Sequence, residues 1–289
     1  MLQDILVTGL VNGGVYALLA VGFSLIFGVA RIVNIAHTAF YMLAAYCFYT
    51  LLVKFNFNYF LAGVIAVASV TLLSVVCYRL VIEPVREHES AVLISTIALA
   101  LIFQELMLLS FGGSYLGIPS TLDGGLRFFG ASIAYQRLLI LVVAAAMLVA
   151  CWFLLYRTRL GLAIRATAND LEVANLMGMN VHRVAMVTVA LSVALAAVAG
   201  VVVAPVYVVD PFMWLAPLVT MLAVVVLGGL GSLKGSLIGA LIIGYVEAIT
   251  VFMVPAGAYL KGAVALLIMV VVLLARPEGL FGVAFEEER

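Results

Sequence analysis

Nine long apolar runs constrain this chain more than any other feature: 5–29, 33–53, 58–82, 91–111, 136–156, 183–205, 214–232, 235–254 and 259–275. Crossing roughly 30 Å of hydrocarbon takes about 20 apolar residues, and runs of this length predict helices that span a bilayer. Over the 289 residues, 67% are hydrophobic and 10% are charged. Soluble domains carry roughly 25% charged residues, so this polar inventory cannot cover a water-exposed surface, and lipid must cover much of it. Net charge is zero, with 14 basic and 14 acidic residues, which removes a nucleic-acid binder, since that needs a basic face. The runs are continuous and not alternating, which argues against an outer-membrane barrel. The expected fold class is all-α: a polytopic membrane helix bundle of eight or nine spans forming a single transmembrane domain over 1–289.

The charges between the runs orient the bundle. With the N-terminus outside and nine spans, Arg31, Arg79, Arg86, Arg157, Arg159, Arg165, Arg183, Lys234, Arg276 and Arg289 face the cytoplasm, and Lys54, Arg127, Arg137 and Lys261 face outward. Ten against four follows the positive-inside rule; the reverse orientation inverts it. Eight spans remain tenable, because the last two central runs are joined only by Gly228-Gly229-Leu230-Gly231-Ser232-Leu233-Lys234-Gly235. The opening Met1-Leu2-Gln3-Asp4 lacks the basic region of a secretory signal, so the first run is expected to be retained. Cys47, Cys77 and Cys151 lie inside apolar runs without metal spacing and read as small hydrophobes, with no metal site expected.

Three sets of residues carry information beyond the spans. The segment 157–183, expected to be cytoplasmic, contains Thr167 and Asp170 at capping-box spacing, acidic Asp170 and Glu172 in a first turn, and Gly178 placed as a C-terminal stop. These signals predict a helix over 168–177, too short to span, with Leu171, Ala174 and Met177 on one face. Such a helix suits a groove on a cytoplasmic partner, involving Ala168, Asp170, Leu171, Glu172, Ala174, Met177 and Gly178. The alternative is a helix lying on lipid headgroups. Next, small residues recur every four positions at Ser192, Ala196, Gly200 and Ala204 and at Gly231, Gly235 and Gly239; such rows let helix backbones approach closely. Finally, Asn12, Asn34, His37, Glu105 and Glu247 are polar groups in or near spans, with Gln104 beside Glu105. Polar groups at membrane depth usually face a cavity or a neighbouring helix, which makes these five candidates for a solute pathway. The glycine cluster does not make a nucleotide loop: GxGxxG is missed, and GxxxxGK[ST] is absent from the sequence. The chain is expected to bind no cofactor of its own.

At this level the sequence resembles a known family. GLVNGGVYALLAVGFSLIFGVARIVNIAHTAFYMLAAY is similar to the opening of permease subunits of branched-chain amino acid ABC importers. GLAIRATANDLEVANLMGMNVHRV resembles their cytoplasmic coupling loop, and VVVLGGLGSLKGSLIGALIIGYVEA and RPEGLFG resemble their C-terminal signatures. The resemblance runs in order over nearly the whole chain. It implies a type II-like importer permease in the bacterial cytoplasmic membrane, with a second, different permease chain as partner. It also implies two cytoplasmic ATPase subunits carrying ATP and Mg, and an extracytoplasmic substrate-binding protein. One departure is visible: the family commonly has NxAHG and then an acidic residue, whereas Thr38 and Ala39 follow His37 here. A urea or short-amide permease shares this architecture. An autonomous secondary transporter would need intramembrane ion sites, for which Glu105, Glu247 and Lys261 are thin support. An intramembrane enzyme is disfavoured, since HExxH and an accessible GxSxG are missing.

Overall fold

A computed structural model describes residues 2–119, 124–128 and 131–282. The helices are α1 (Leu2–Ala30), α2 (His37–Tyr49), α3 (Tyr59–Cys77), α4 (Glu89–Phe111), α5 (Tyr135–Arg157), α6 (Arg159–Asn169), α7 (Leu171–Leu176), α8 (Val181–Val203), α9 (Leu215–Gly228), α10 (Leu233–Met253) and α11 (Gly257–Ala275). A two-stranded ribbon, β1 (Gly125–Phe128) and β2 (Ala131–Ala134), precedes α5 and pairs antiparallel with Gly125 opposite Ala134. Among the described residues seven helices are long and apolar enough to cross a membrane: α1, α3, α4, α5, α8, α10 and α11. α2 and α9 are shorter. At 1.5 Å per residue the 14 residues of α9 reach only about 21 Å. The nine apolar runs each hold one of these nine helices, and two of those helices are too short to cross by themselves.

Helix α2 starts four residues later than its apolar run and ends in a wider turn. Residues 31–36 form an irregular connection in which Arg31 adopts a left-handed backbone (φ 53°). At the far end Thr50–Lys54 is a π-helical turn. There the Thr50 hydroxyl donates to the Tyr46 carbonyl at 2.8 Å, occupying an acceptor of the regular ladder, and the Phe55 N–H bonds Thr50 O instead.

The centre of the bundle is α1, α2 and α8. Eleven residues of α2, from His37 to Tyr46 and Phe48, are buried, so this helix is encased on all sides, as an apolar helix without a polar face must be. α1 packs on α10, α8, α5 and α9, while α8 also packs on α2 and α3. In contrast only Gly257 and Ala265 of α11 are buried, and α3, α4 and α5 present long rows of Leu, Ile, Val and Phe outward. In lipid those rows need no cover.

Close backbone approach holds the centre together. A Cβ on Gly200 would overlap the Tyr41 carbonyl of α2, and one on Gly235 would overlap the Gly228 carbonyl of α9; one on Gly239 would come within 2.7 Å of Val224 O. One on Gly244 would come within 2.5 Å of Gly13 N, where α10 crosses α1. Small residues allow this fit, and with no hydrophobic force between helices in lipid, the van der Waals contact it creates matters. The predicted row at 231, 235 and 239 is shorter than expected. Gly231 lies before the start of α10, in the turn (φ 79°), so only Gly235 and Gly239 sit on the helix face. In the other row Ala204 falls just beyond the end of α8.

Candidate functional site

Three places in the fold bring the candidate residues together. The first is the segment between α5 and α8. Thr158 opens it: its hydroxyl accepts from the Gly161 N–H at 3.0 Å and donates to Leu154 O at 2.6 Å, starting α6 where the sequence reading had none. Arg165 then reaches back, its Nε donating to Leu155 O at 3.0 Å, and its guanidinium lies 4.8 Å from the centre of the Tyr156 ring. This satisfies one of the orphan carbonyls of the last turn of α5 and folds α6 against the bundle through Gly161, Ile164 and Thr167.

The predicted helix over 168–177 is therefore two helices. Ala168 and Asn169 end α6; Asp170 adopts an extended backbone (φ −151°, ψ 112°) and caps α7, its carboxylate accepting from the Val173 N–H at 2.9 Å. The cap is Asp170 and not Thr167, which is buried inside α6. At the other end Gly178 has φ 80°, its N–H bonds Asn175 O at 3.0 Å, and the Met179 N–H bonds Ala174 O at 3.1 Å. These two bonds make a Schellman stop, in which a residue with a Cβ at Gly178 would be strained. The exposed face also differs from the expected one. Ala174 is buried, while Val173, Leu176 and Met177 are 52%, 85% and 78% exposed and Leu171 lies at the margin. Glu172 is exposed beside them.

The second place is the buried polar centre. Glu247 on α10 is 1% exposed; Tyr16 of α1 donates to one carboxylate oxygen at 2.6 Å, and Thr220 of α9 donates to the other at 3.4 Å. One buried carboxylate thus clasps three helices, and the two hydroxyls offset part of its desolvation. His37 is fully buried, with Nε2 3.2 Å from Leu19 O, which fixes the proton on Nε2 because a carbonyl cannot donate. Its Nδ1 lies 3.5 Å from the Ser192 hydroxyl, whose closer partner is Gly22 O. Asn34 lies in the turn before α2, so it and His37 do not share a helix face. Its side-chain oxygen and nitrogen meet no partner among the described residues. Asn12, half-buried on α1, accepts from the Tyr207 hydroxyl at 3.3 Å. Glu105 stands apart: it is exposed on the outer face of α4, whereas its neighbour Gln104 is buried and accepts from Trp214 Nε1 at 3.0 Å. Tyr16, Thr220 and the Ser24–Ser236 hydroxyl pair were not singled out in the sequence, and Ser192 stood there only as a small packing residue. Their signal was present as polar residues inside apolar runs, where burial favours pairing with another polar group.

The third place is a cavity of about 750 Å³ at the α6–α7 end, walled by Arg31, Glu89, Asn169, Leu230, Ser232 and Phe281 among others. No cluster of three or more His, Cys, Asp or Glu that could hold a metal ion occurs among the described residues. Of the three free thiols, Cys77 and Cys151 are buried and Cys47 is half-buried beside Ser69.

A bundle of long apolar helices that encloses a polar clasp and carries one outward-facing short helix at one end defines an integral membrane protein. The model of the family described as branched-chain amino acid transport system, permease component, matches residues 5–273. The chain belongs to that family. It is 33% identical to the high-affinity branched-chain amino acid transport system permease protein BraD of Pseudomonas aeruginosa, over 96% of this chain and 94% of that protein. Among solved structures the fold is similar to PsaBC from Streptococcus pneumoniae in complex with Fab (TM-score 0.54, 14% identity, 95% and 92% of the two chains). It is also similar to an ABC transporter described as metal-chelate type in an inward-facing conformation (TM-score 0.51, 20% identity, 92% and 85%).

Proposed function

We propose that this chain is the membrane-spanning permease, over 1–289, of an ATP-driven importer for branched-chain amino acids. The observation that carries the coupling half of the reading is α7: six residues, capped at both ends, with Val173, Leu176 and Met177 exposed at one end of the bundle. An apolar row at the membrane's edge that no helix among the described residues covers suits a groove in a cytoplasmic ATPase. The solute assignment is supported by the name of the 33% identical relative.

In this reading all nine helices cross, α2 together with its π-helical turn and α9 despite its length, the N-terminus is outside, and the C-terminus, α6 and α7 are cytoplasmic, in keeping with the ten-to-four division of basic residues that nine crossings give. Two permease chains enclose one pathway, two ATPases hold ATP and Mg, and a binding protein delivers the solute from outside. The permease binds no cofactor and performs no chemistry. Its task is to hold two conformations that its partners stabilise differently. Force on α7 reaches α8 through the short link at Gly178–Asn180, and reaches α1 through α6. Of the polar candidates Asn34 is the one whose side chain has no partner among the described residues, so it remains the group best placed to meet a solute; Glu247, His37 and Asn12 are already hydrogen-bonded and Glu105 faces outward.

The test is uptake and ATP hydrolysis by the reconstituted complex. Leu176→Asp should lower co-purification of the ATPase and remove solute-stimulated hydrolysis while the permease still inserts. Unchanged coupling sinks the docking role, and stimulation by urea or acetamide but not by leucine, isoleucine or valine sinks the solute assignment. Cysteines at Asn169 and Tyr115 test the orientation, since only the latter should react with an impermeant reagent from outside. Ser120, the first choice for such a probe in the same loop, lies outside the described residues.

A further inference from the structure

After the third apolar run come Glu83, Pro84 and Arg86, and the fold gives the two charges a common partner. α3 continues through a π-helical turn, Tyr78–Ile82, into a single 3₁₀ turn, Glu83–Val85, where Pro84 fixes one backbone angle. The bend then leads directly into α4: the His88 N–H bonds Val85 O at 3.0 Å and the Val92 N–H bonds His88 O at 3.0 Å. Glu83 and Arg86 are thus held on a stiff connection between two spans. Both meet His182. Its Nδ1 donates to Glu83 Oε1 at 2.9 Å, which leaves Nε2 as the ring's acceptor. The Arg86 guanidinium straddles the ring, with Nη1 3.2 Å from Nδ1 and Nη2 3.4 Å from Nε2. One imidazole therefore sits between an acid and a base of the α3–α4 bend, and charge strengthens both contacts.

His182 is the second residue of α8, and the start of that helix is itself fixed, since the Asn180 side chain accepts from the Arg183 N–H at 3.0 Å. Gly178, the stop of α7, lies just before that cap. We propose that Glu83, Arg86 and His182 form a joint that passes the movement of α7 to the α3–α4 hairpin. The proposal rests on the α7 docking reading. α3 packs along α8, but the residues it buries are Ala62, Ala66, Val70, Ser74 and Cys77, small side chains whose van der Waals attraction has no preferred direction. Hydrogen bonds have one. The joint fixes the register of the bend against α8 at the end nearest α7. The His182 side chain is 59% exposed, and exposed ion pairs contribute little to stability, so this contact sets position more than it holds the fold. All three are positioning residues that act through α8.

In the complex purified with its ATPase, His182→Ala and Glu83→Ala should each keep the wild-type melting temperature and the wild-type amount of ATPase, yet lose most of the leucine uptake per ATP hydrolysed. A merely structural role would move melting temperature and uptake together, and that result overturns the joint. Wild-type uptake per ATP in both variants overturns it as well. Loss of the ATPase from both does the same, because the cluster would then belong to docking. A second measurement uses Glu83→Cys with His182→Cys, in a chain carrying Cys47→Ala, Cys77→Ala and Cys151→Ala. Uptake should be low with free thiols and recover when a short bifunctional methanethiosulfonate bridges them. A bridge that leaves uptake low overturns the joint, since a fixed link would then not replace it. Leu176→Asp separates the two readings: coupling lost there but kept in His182→Ala sinks the joint alone, whereas coupling kept there sinks the α7 reading and the joint with it.

Discussion

The encased centre and the α6–α7 segment solve opposite problems. In α1, α2, α8 and α10 side chains are buried among neighbouring helices: Glu247, Ser24 and Ser192 are hydrogen-bonded across helix interfaces, and glycines bring backbones together. Around α7 the chain is exposed, structure is fixed by caps at the helix ends, and the apolar side chains stay outside. The centre is therefore intolerant of volume and of lost hydrogen bonds. The segment is intolerant of lost caps but indifferent to what its outer side chains are, unless a partner covers them. This contrast predicts an order of damage.

The largest effect should come from Gly235→Leu. Its Cβ alone would overlap the Gly228 carbonyl, and neither backbone can yield without separating α9 from α10. Overpacking of this kind costs about 1–3 kcal/mol or more where backbone must move. Size-exclusion profiles of the detergent-extracted variant should show aggregated or absent protein. A wild-type profile would mean that the two helices are not in contact in the membrane. Next comes Glu247→Leu, which leaves the hydroxyls of half-buried Tyr16 and buried Thr220 without their acceptor. Each orphaned group costs about 1–3 kcal/mol. Glu247→Gln keeps an acceptor and should lose less, and the difference between the two melting temperatures measures the clasp. Equal melting points for both variants and wild type would show that the carboxylate contributes nothing to helix assembly.

A smaller loss should follow Gly178→Val. A β-branched residue in the left-handed region costs about 1–2 kcal/mol, and that energy is charged to the last turn of α7 and not to any span. The melting temperature should hardly move while proteolysis between Met177 and Asn180 accelerates. Unchanged proteolysis would show that the Schellman stop does not hold α7.

The same contrast explains what the sequence made legible. Apolar run length exposed nine helices because lipid imposes one rule on every span. The caps at Asp170 and Gly178 were visible because capping is local. The division of 159–176 into two helices was not, since it depends on Thr158 starting a helix and on Arg165 reaching back to the carbonyl of Leu155, a residue ten positions earlier. The face of α7 was misassigned for a related reason. Spacing put Leu171, Ala174 and Met177 together, and only the packing of α6 and α8 decides that Ala174 points inward. Glu105 and Glu247 looked equivalent in sequence, as carboxylates within apolar runs. One is clasped by two hydroxyls and the other faces away from the bundle, and that difference belongs to tertiary structure.

The smallest effects on the fold should come from exposed positions, and there stability and coupling should part. Leu176 is 85% exposed and Ala174 is 2% exposed, two residues apart on the same short helix. Aspartate at Ala174 buries a charge without a partner and should loosen α7 itself, so the damage appears in the permease alone. Aspartate at Leu176 leaves every contact of the isolated subunit intact, and its melting temperature should match wild type to within the effect of an ordinary surface substitution, about 0.5 kcal/mol. Retention of the ATPase should nevertheless fall, because the apolar side chain that would be buried in the partner's groove is gone. The informative measurement is the pair: melting temperature of the subunit beside ATPase retained per permease, for both variants. If Leu176→Asp retains the partner as wild type does, α7 carries no docking contact and its exposed row belongs to the lipid surface.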